Sequence, residues 1–274
     1  MAFLTDIGVN LLNSAFDRDR NEVLERAKNA GVKKIIITGS TIENSAESLL
    51  FVNDSSFINE NSGITCYSTA GVHPHNAKDW NALSLAGLKD LISSDSKSKI
   101  TAIGECGLDY NRNFSPPEAQ KKCFEDQLAF AVQNKKPVFL HERDAFEDFY
   151  SILKKYKKDL SGAVVHCFTG TAAEMKAYLE LDCYIGITGW ICDERRGSHL
   201  IPFLRQIPAN RLLLETDAPY LLPRNLPKSF RGKSSRNEPA FLSHIVAFAA
   251  GILGKTYEQI AEETSSNAAE LFGI

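Results

Sequence analysis

The chain has no surplus of one charge sign. Its 31 Lys and Arg stand against 34 Asp and Glu, a formal net charge of −3. That excludes a protein drawn along duplex or onto an anionic membrane by its overall field, so any anion recognition must be local. No apolar run approaches the roughly 18 residues of a bilayer span, and Met1 to Asn10 carry no basic segment. Neither a membrane span nor a signal peptide is expected. The six cysteines, Cys66, Cys106, Cys123, Cys167, Cys183 and Cys192, include no Cys-x-x-Cys pair. They read as reduced thiols in a cytoplasmic protein, not as a disulfide framework. A Gly-rich phosphate loop is also missing after the first apolar run, where Gly8-Val-Asn-Leu-Leu stands instead. That counts against an open, doubly wound nucleotide-binding sheet.

What is present is alternation. Apolar runs at Phe3–Gly8, Lys33–Thr38, Thr65–Val72, Lys99–Glu105, Pro137–His141, Gly162–His166, Cys183–Ile187 and Arg211–Glu215 are separated by amphipathic stretches. The runs are continuously apolar, as parallel strands buried on both faces require. Helix starts are marked by Ser14 with Asp17, by Ser115-Pro116-Pro117-Glu118, by Thr171 with Glu174, and by Thr256 with Gln259. With 43% hydrophobic residues the chain can bury a sizeable core. Eight βα units without a linker predict a single α/β domain over 1–274, a (β/α)8 TIM barrel.

Chemistry-bearing residues end four of these runs: Glu105, His141, His166 and, just past the last, Asp217. The C-terminal ends of barrel strands are where such a fold places its active site. A carboxylate and two imidazoles can hold a divalent metal with positions left open for water. Singly, each His could be a satisfied core residue and Asp217 an ordinary loop cap; together at equivalent strand ends they point to a site. Asp217, in Glu215-Thr216-Asp217, can take a proton from an activated water or ligate a metal. His73 and His75 follow the third run, and His73 reads as a substrate or phosphate contact and a candidate acid. Arg112, Arg143, Arg195, Arg196 and the basic stretch 224–236 are candidate phosphate clamps, Arg143 and Arg224 foremost. Tyr110, Phe168, Trp190 and Tyr220 are candidate stacking surfaces for unpaired bases.

Six blocks make the chain recognisable. Asp6-Ile-Gly-Val-Asn-Leu, Ser68-Thr-Ala-Gly-Val-His-Pro-His, Ala102-Ile-Gly-Glu-Cys-Gly-Leu-Asp-Tyr, Val165-His-Cys-Phe-Thr-Gly, Ile185-Gly-Ile-Thr-Gly-Trp and Leu214-Glu-Thr-Asp-Ala-Pro-Tyr resemble the TatD family of metal-dependent deoxyribonucleases. The resemblance spans essentially the whole chain. It implies an amidohydrolase-like barrel and hydrolysis of phosphodiester bonds with a divalent metal. It places metal ligands at Glu105, His141 and His166, a catalytic and metal-contacting Asp at Asp217, and a partner Glu at Glu215. The branch it resembles implies 3′→5′ exonuclease action on single-stranded DNA and RNA with magnesium, in DNA repair, by a monomer. One departure stands out: the family's D-x-H-x-H opening has Gly8 and Asn10 at its imidazole positions. Asp6, Asn10 and Asp217 are then the oxygen-bearing groups around a second metal. Fewer imidazoles favour Mg²⁺ or Mn²⁺ over Zn²⁺. One resident metal is expected, with a second arriving on the substrate phosphate. The same centre could instead cleave an ester, as in removing a D-amino acid from tRNA. A non-enzymatic binding protein with a degenerate site is the third reading.

Overall fold

Eight strands form one sheet in chain order: β1 (Leu4–Val9), β2 (Val32–Ile37), β3 (Thr65–Ala70), β4 (Ile100–Asp109), β5 (Val138–Arg143), β6 (Ala163–Val165), β7 (Tyr184–Ile187) and β8 (Leu212–Leu214). The computed structural model describes residues 3–54, 63–231 and 235–274. Lys233 of the basic stretch and the side chain of Arg231 lie outside the described residues. Pairing is parallel from β1 to β2 and along β3, β4, β5, β6 and β7. A parallel bridge from Val9 to Ala218 joins the end of β1 to the chain just past β8. The helices are α1 (Arg20–Asn29), α2 (Ile42–Asn53), α3 (Ala82–Ser94), α4 (Pro117–Asn134), α5 (Phe146–Tyr156), α6 (Ala172–Glu180), α7 (Ile201–Leu204), α8 (Lys228–Arg231), α9 (Leu242–Leu253) and α10 (Tyr257–Phe272). This is a (β/α)8 barrel, and all eight apolar runs are strands within it.

The chain clusters into two compact units. One comprises Met1–Ile37, Ser55–Cys66 and Gly186–Glu270; the other comprises Thr38–Asp54, Tyr67–Ile185 and Leu271–Ile274. In the first, β1 is buried along its whole length and pairs with β2. Asn267 of α10 donates to the carbonyls of Ala209 and Leu212, both at 2.8 Å, fastening the start of β8. In the second, α4 buries Phe124, Leu128 and Ala131, and Phe124 stacks on Phe149 of α5 at 5.0 Å. Gln127 of α4 reads both backbone groups of Val72, accepting from its N–H at 2.8 Å and donating to its carbonyl at 3.0 Å. That fastens the chain immediately before His73.

Local differences from the sequence reading have physical causes. β4 does not stop at Glu105 but runs on to Asp109, pairing Gly107 with His141 and Asp109 with Arg143. Glu105 is therefore a mid-strand residue. Ser115 does not cap α4; Pro116 holds that position, and Ser115 Oγ instead donates to the His75 carbonyl at 2.8 Å and accepts from Lys78 N at 3.0 Å. Ser14 opens a short 3-10 turn, and α1 starts only at Arg20. The Thr171–Glu174 and Thr256–Gln259 boxes form reciprocal caps.

Candidate metal centre

Two glycines press β4 onto β5. Gly104 has φ +141 and Gly107 φ +148, and a Cβ at either would collide with the Phe139 or His141 carbonyl oxygen respectively. Only glycine combines that conformation with that approach. Between them Glu105 is buried, its N–H donating to the Gly39 carbonyl at 2.7 Å. His141 comes from β5, and His166 follows β6 with its N–H on the Leu140 carbonyl at 2.9 Å. His73 caps the 3-10 turn Pro74–Asp79, its own N–H on the Ser40 carbonyl at 3.0 Å.

These side chains converge on one atom. Glu105 Oε1 lies 2.7 Å from His166 Nε2, 2.8 Å from His141 Nδ1 and 3.2 Å from His73 Nε2. The ligand atoms of His73, Glu105 and His141 all lie within 4.8 Å of one another. Burial alone would raise the Glu105 pKa. The imidazoles of His166 and His73 and the hydrogen bonds of His141 and His166 override it and hold the carboxyl well below its ordinary range. A buried, ionised carboxylate ringed by imidazole nitrogens is a donor set suited to a divalent cation.

The imidazoles are not equivalent. His73 Nδ1 accepts from the His75 N–H at 3.0 Å, so a neutral ring carries its proton on Nε2. Burial pushes the His73 pKa down to about 4, with the Glu105 charge opposing. A neutral ring with Nε2–H is a hydrogen-bond donor and cannot ligate through that nitrogen. The His141 ring instead turns Nδ1 to Glu105 Oε1. Burial would lower the His141 pKa, but bonds to Asp109 and Glu105 raise it.

Asp109 is the residue that sequence reasoning missed. It is 1% exposed; Oδ2 lies 2.7 Å from His75 Nε2 and 3.4 Å from His141 Nε2. Its Oδ1 accepts from Arg112 N at 2.7 Å, and its backbone is held by Gln120. Burial opposes ionisation, but His141, His75 and the Arg112 N–H keep the carboxyl well below the usual range. It lies in the Glu105-Cys-Gly-Leu-Asp109 block, where four residues of strand bring both carboxylates to the same face.

The other unit holds the acidic cluster. Asp6 is fully buried and accepts from Thr216 N at 2.9 Å, Thr216 Oγ1 at 2.6 Å and Gly8 N at 3.4 Å. Burial nevertheless pushes its pKa up to about 8, with Glu215 adding to the rise. Asn10 Nδ2 donates to Asp217 Oδ1 at 3.0 Å. Backbone bonds from Asn10 N to the Ala218 carbonyl, 2.8 Å, and from Asp217 N to the Gly8 carbonyl, 2.9 Å, lock the pair. Glu215 is fully buried, its N–H on the Ile187 carbonyl at 3.1 Å. Asn237 donates to the Thr216 carbonyl at 2.9 Å. Thr216 and Asn237 were not singled out in the sequence, since neither residue type signals chemistry alone.

The basic candidates divide. Arg224 is engaged by Glu194 at 3.0 Å; Arg195 and Arg196 both pair with Asp193. Arg236 is clamped by Asp19 and Glu238. Among the described residues the Arg143 and Arg112 guanidinium groups take no ion pair. The proposed stacking aromatics divide too. Phe168 is buried, Tyr110 donates its hydroxyl to Asp148 at 2.7 Å, and Arg196 covers Trp190 at 4.4 Å from the ring centre. Tyr220 is exposed, with its hydroxyl accepting from Asn13.

With this geometry in view, the family model described as TatD related DNase matches residues 5–273. The chain belongs to the TatD-related DNase family. A relative from Rahnella sp. (strain Y9602), named 3′-5′ ssDNA/RNA exonuclease TatD, is 49% identical over 98% of both chains. Another so named, from Edwardsiella piscicida, is 49% identical over 99% of this chain and 100% of its own. A crystal structure of a TatD family hydrolase from Entamoeba histolytica superposes with a TM-score of 0.86 at 26% identity, covering 99% of each chain. The TatD family's barrel is thus the barrel found here.

Proposed function

We propose that the chain is a divalent-metal-dependent 3′-5′ exonuclease acting on single-stranded DNA and RNA. The observation that carries this is the convergence of His141 and His166 nitrogens on Glu105 Oε1, at 2.8 and 2.7 Å, in a chain of the TatD family. The relatives' names supply the substrate class. Glu105, His141 and His166 would hold the cation, with Mg²⁺ favoured and Mn²⁺ or Zn²⁺ as alternatives. A bound divalent cation there would lower the pKa of water and polarise a phosphoryl oxygen.

The remaining steps belong to side chains. Asp217, oriented by Asn10, accepts the proton of the attacking water. His73 donates a hydrogen bond through Nε2, to the carboxylate at rest and to the departing or non-bridging oxygen during reaction. Its depressed pKa makes it a neutral donor rather than a source of a full proton. Glu215 holds the backbone that presents Asp217, and Asp6 with Asn10 would offer oxygen atoms to a second cation arriving with substrate. Arg143 is available to a phosphate; Arg224 would first have to leave Glu194.

Residues 1–274 are read as one domain, since the single sheet and the family match run through both units. Six cysteines without a disulfide among the described residues suit a reducing, cytoplasmic setting, and no described helix is long and apolar enough to cross a membrane. A digestion series on single strands blocked at the 5′ or the 3′ end, in Mg²⁺, Mn²⁺, Zn²⁺ and EDTA, tests reaction, polarity and metal. Release of mononucleotides from free 3′ ends only is expected. Intact strands in every metal, with hydrolysis of aminoacylated tRNA, would replace the reading with an esterase.

A further inference from the structure

Phe114 is 59% exposed although the chain around it is fastened. Arg112 N donates to Asp109, Asn111 Nδ2 to Asp144 at 2.7 Å, and Ser115 is fully buried with its hydroxyl and carbonyl both bonded. A large apolar ring held in solvent on a tied loop differs from a ring left out by fraying. Its one ring neighbour among the described residues is His75, edge-on at 4.8 Å and 65°. His75 bonds Asp109 at 2.7 Å, and Asp109 lies 3.4 Å from His141 Nε2. His75 also meets His73 edge-on at 4.2 Å, so one side chain separates the exposed ring from the cluster around Glu105.

The charge around this ring is complementary to a nucleotide. Arg112 lies two residues before Phe114, and Arg143 pairs in register with Asp109. Neither guanidinium has an ion-pair partner among the described residues, whereas Arg195, Arg196, Arg224 and Arg236 are each matched to acids. The loop that exposes this ring also carries Arg112, and its Tyr110 N–H donates to the Arg143 carbonyl at 2.9 Å, so stacking to a base and paired hydrogen bonds to phosphate are offered from one loop and the strand it is tied to.

We propose that Phe114 is the stacking platform for an unpaired nucleobase near the 3′ end of the substrate strand, with Arg112 and Arg143 taking the adjoining phosphates. This rests on the nuclease reading and adds to it the side chain that senses whether a base is present. Stacking tolerates every base, so the contact would favour single strands without selecting sequence.

The test is binding in EDTA, by anisotropy of short 5′-labelled single strands with an abasic site placed at each position from the 3′ end. Wild-type chain should bind the fully base-bearing strand at least about fivefold tighter than the strand abasic at the stacked position. Phe114→Ala should remove that ratio and leave thermal unfolding unchanged, and Phe114→Trp should restore it. An unaltered ratio in Phe114→Ala, or no wild-type preference at any position, would overturn the proposal. Cleavage in metal by wild-type chain is scored separately: strands left intact in every metal would instead remove the nuclease reading.

Discussion

The two units of this barrel handle buried carboxylates in opposite ways. In Tyr67–Ile185, Glu105 is surrounded by imidazoles, with three ring nitrogens within 3.2 Å of one oxygen. In the unit containing β1 and β8, Asp6 and Asp217 are held by neutral donors: Thr216, Asn10 and backbone N–H groups. The first arrangement concentrates ligand atoms and keeps its carboxylate ionised. The second ties Asp6 to Thr216 and Asp217 to Asn10, and Asp6 gains a proton more readily than a free carboxyl. One half is thus preorganised for a metal and the other for holding oxygen atoms in place until something arrives.

Breaking the first half should have the largest effect. Glu105→Gln should weaken metal binding by more than the roughly hundredfold that outer partners of a metal site command, and nuclease activity should fall with it. Calorimetric titration with Mn²⁺ checks this. Asp217→Asn should lower kcat by about 10²–10⁴ while leaving metal content intact, if Asp217, bonded by Asn10, takes the proton of the attacking water as proposed. A full loss of metal in that variant would move Asp217 into the resident site. Asp109→Asn should cost roughly 10–100-fold in metal affinity, since Asp109 supports His75 and His141 from outside the ligand set.

The smallest effect is on stability, and its sign follows from Asp6. Its folded pKa, about 8, lies above the unfolded value near 3.8. A group raised in this way contributes stability that is fully present below the unfolded pKa and lost as pH rises through the folded one. In EDTA, wild-type stability toward urea should therefore decline from about pH 4 to about pH 8 more steeply than that of Asp6→Asn, which cannot ionise. Parallel pH profiles for the two chains would show that Asp6 is ionised in the fold.

Most of this was legible in the sequence because parallel barrel strands are buried on both faces and leave continuous apolar runs. All eight runs are strands, within a few residues at each end. The main discrepancy is β4. Gly107 looks like a strand breaker in a string of letters, but in space it is what allows β4 to lie against His141 and continue to Asp109. Asp109 was hidden by that apparent ending. The candidate ligands stood out because His and Glu are rare in apolar runs. Thr216, Asn237 and Phe114 did not, since their meaning lies in what they touch or fail to cover. Ser115 carried a helix-start signal and was recruited to the His75 carbonyl instead.

Metal stoichiometry tests the contrast between the two halves most directly. Metal-stripped chain, titrated with Mn²⁺ in the absence of nucleic acid and followed by the EPR signal of the free ion, should bind one equivalent. That equivalent should vanish in Glu105→Gln and persist in Asp6→Asn and Asp217→Asn. Two tightly held equivalents in the wild-type chain, or one retained by Glu105→Gln, would contradict the account.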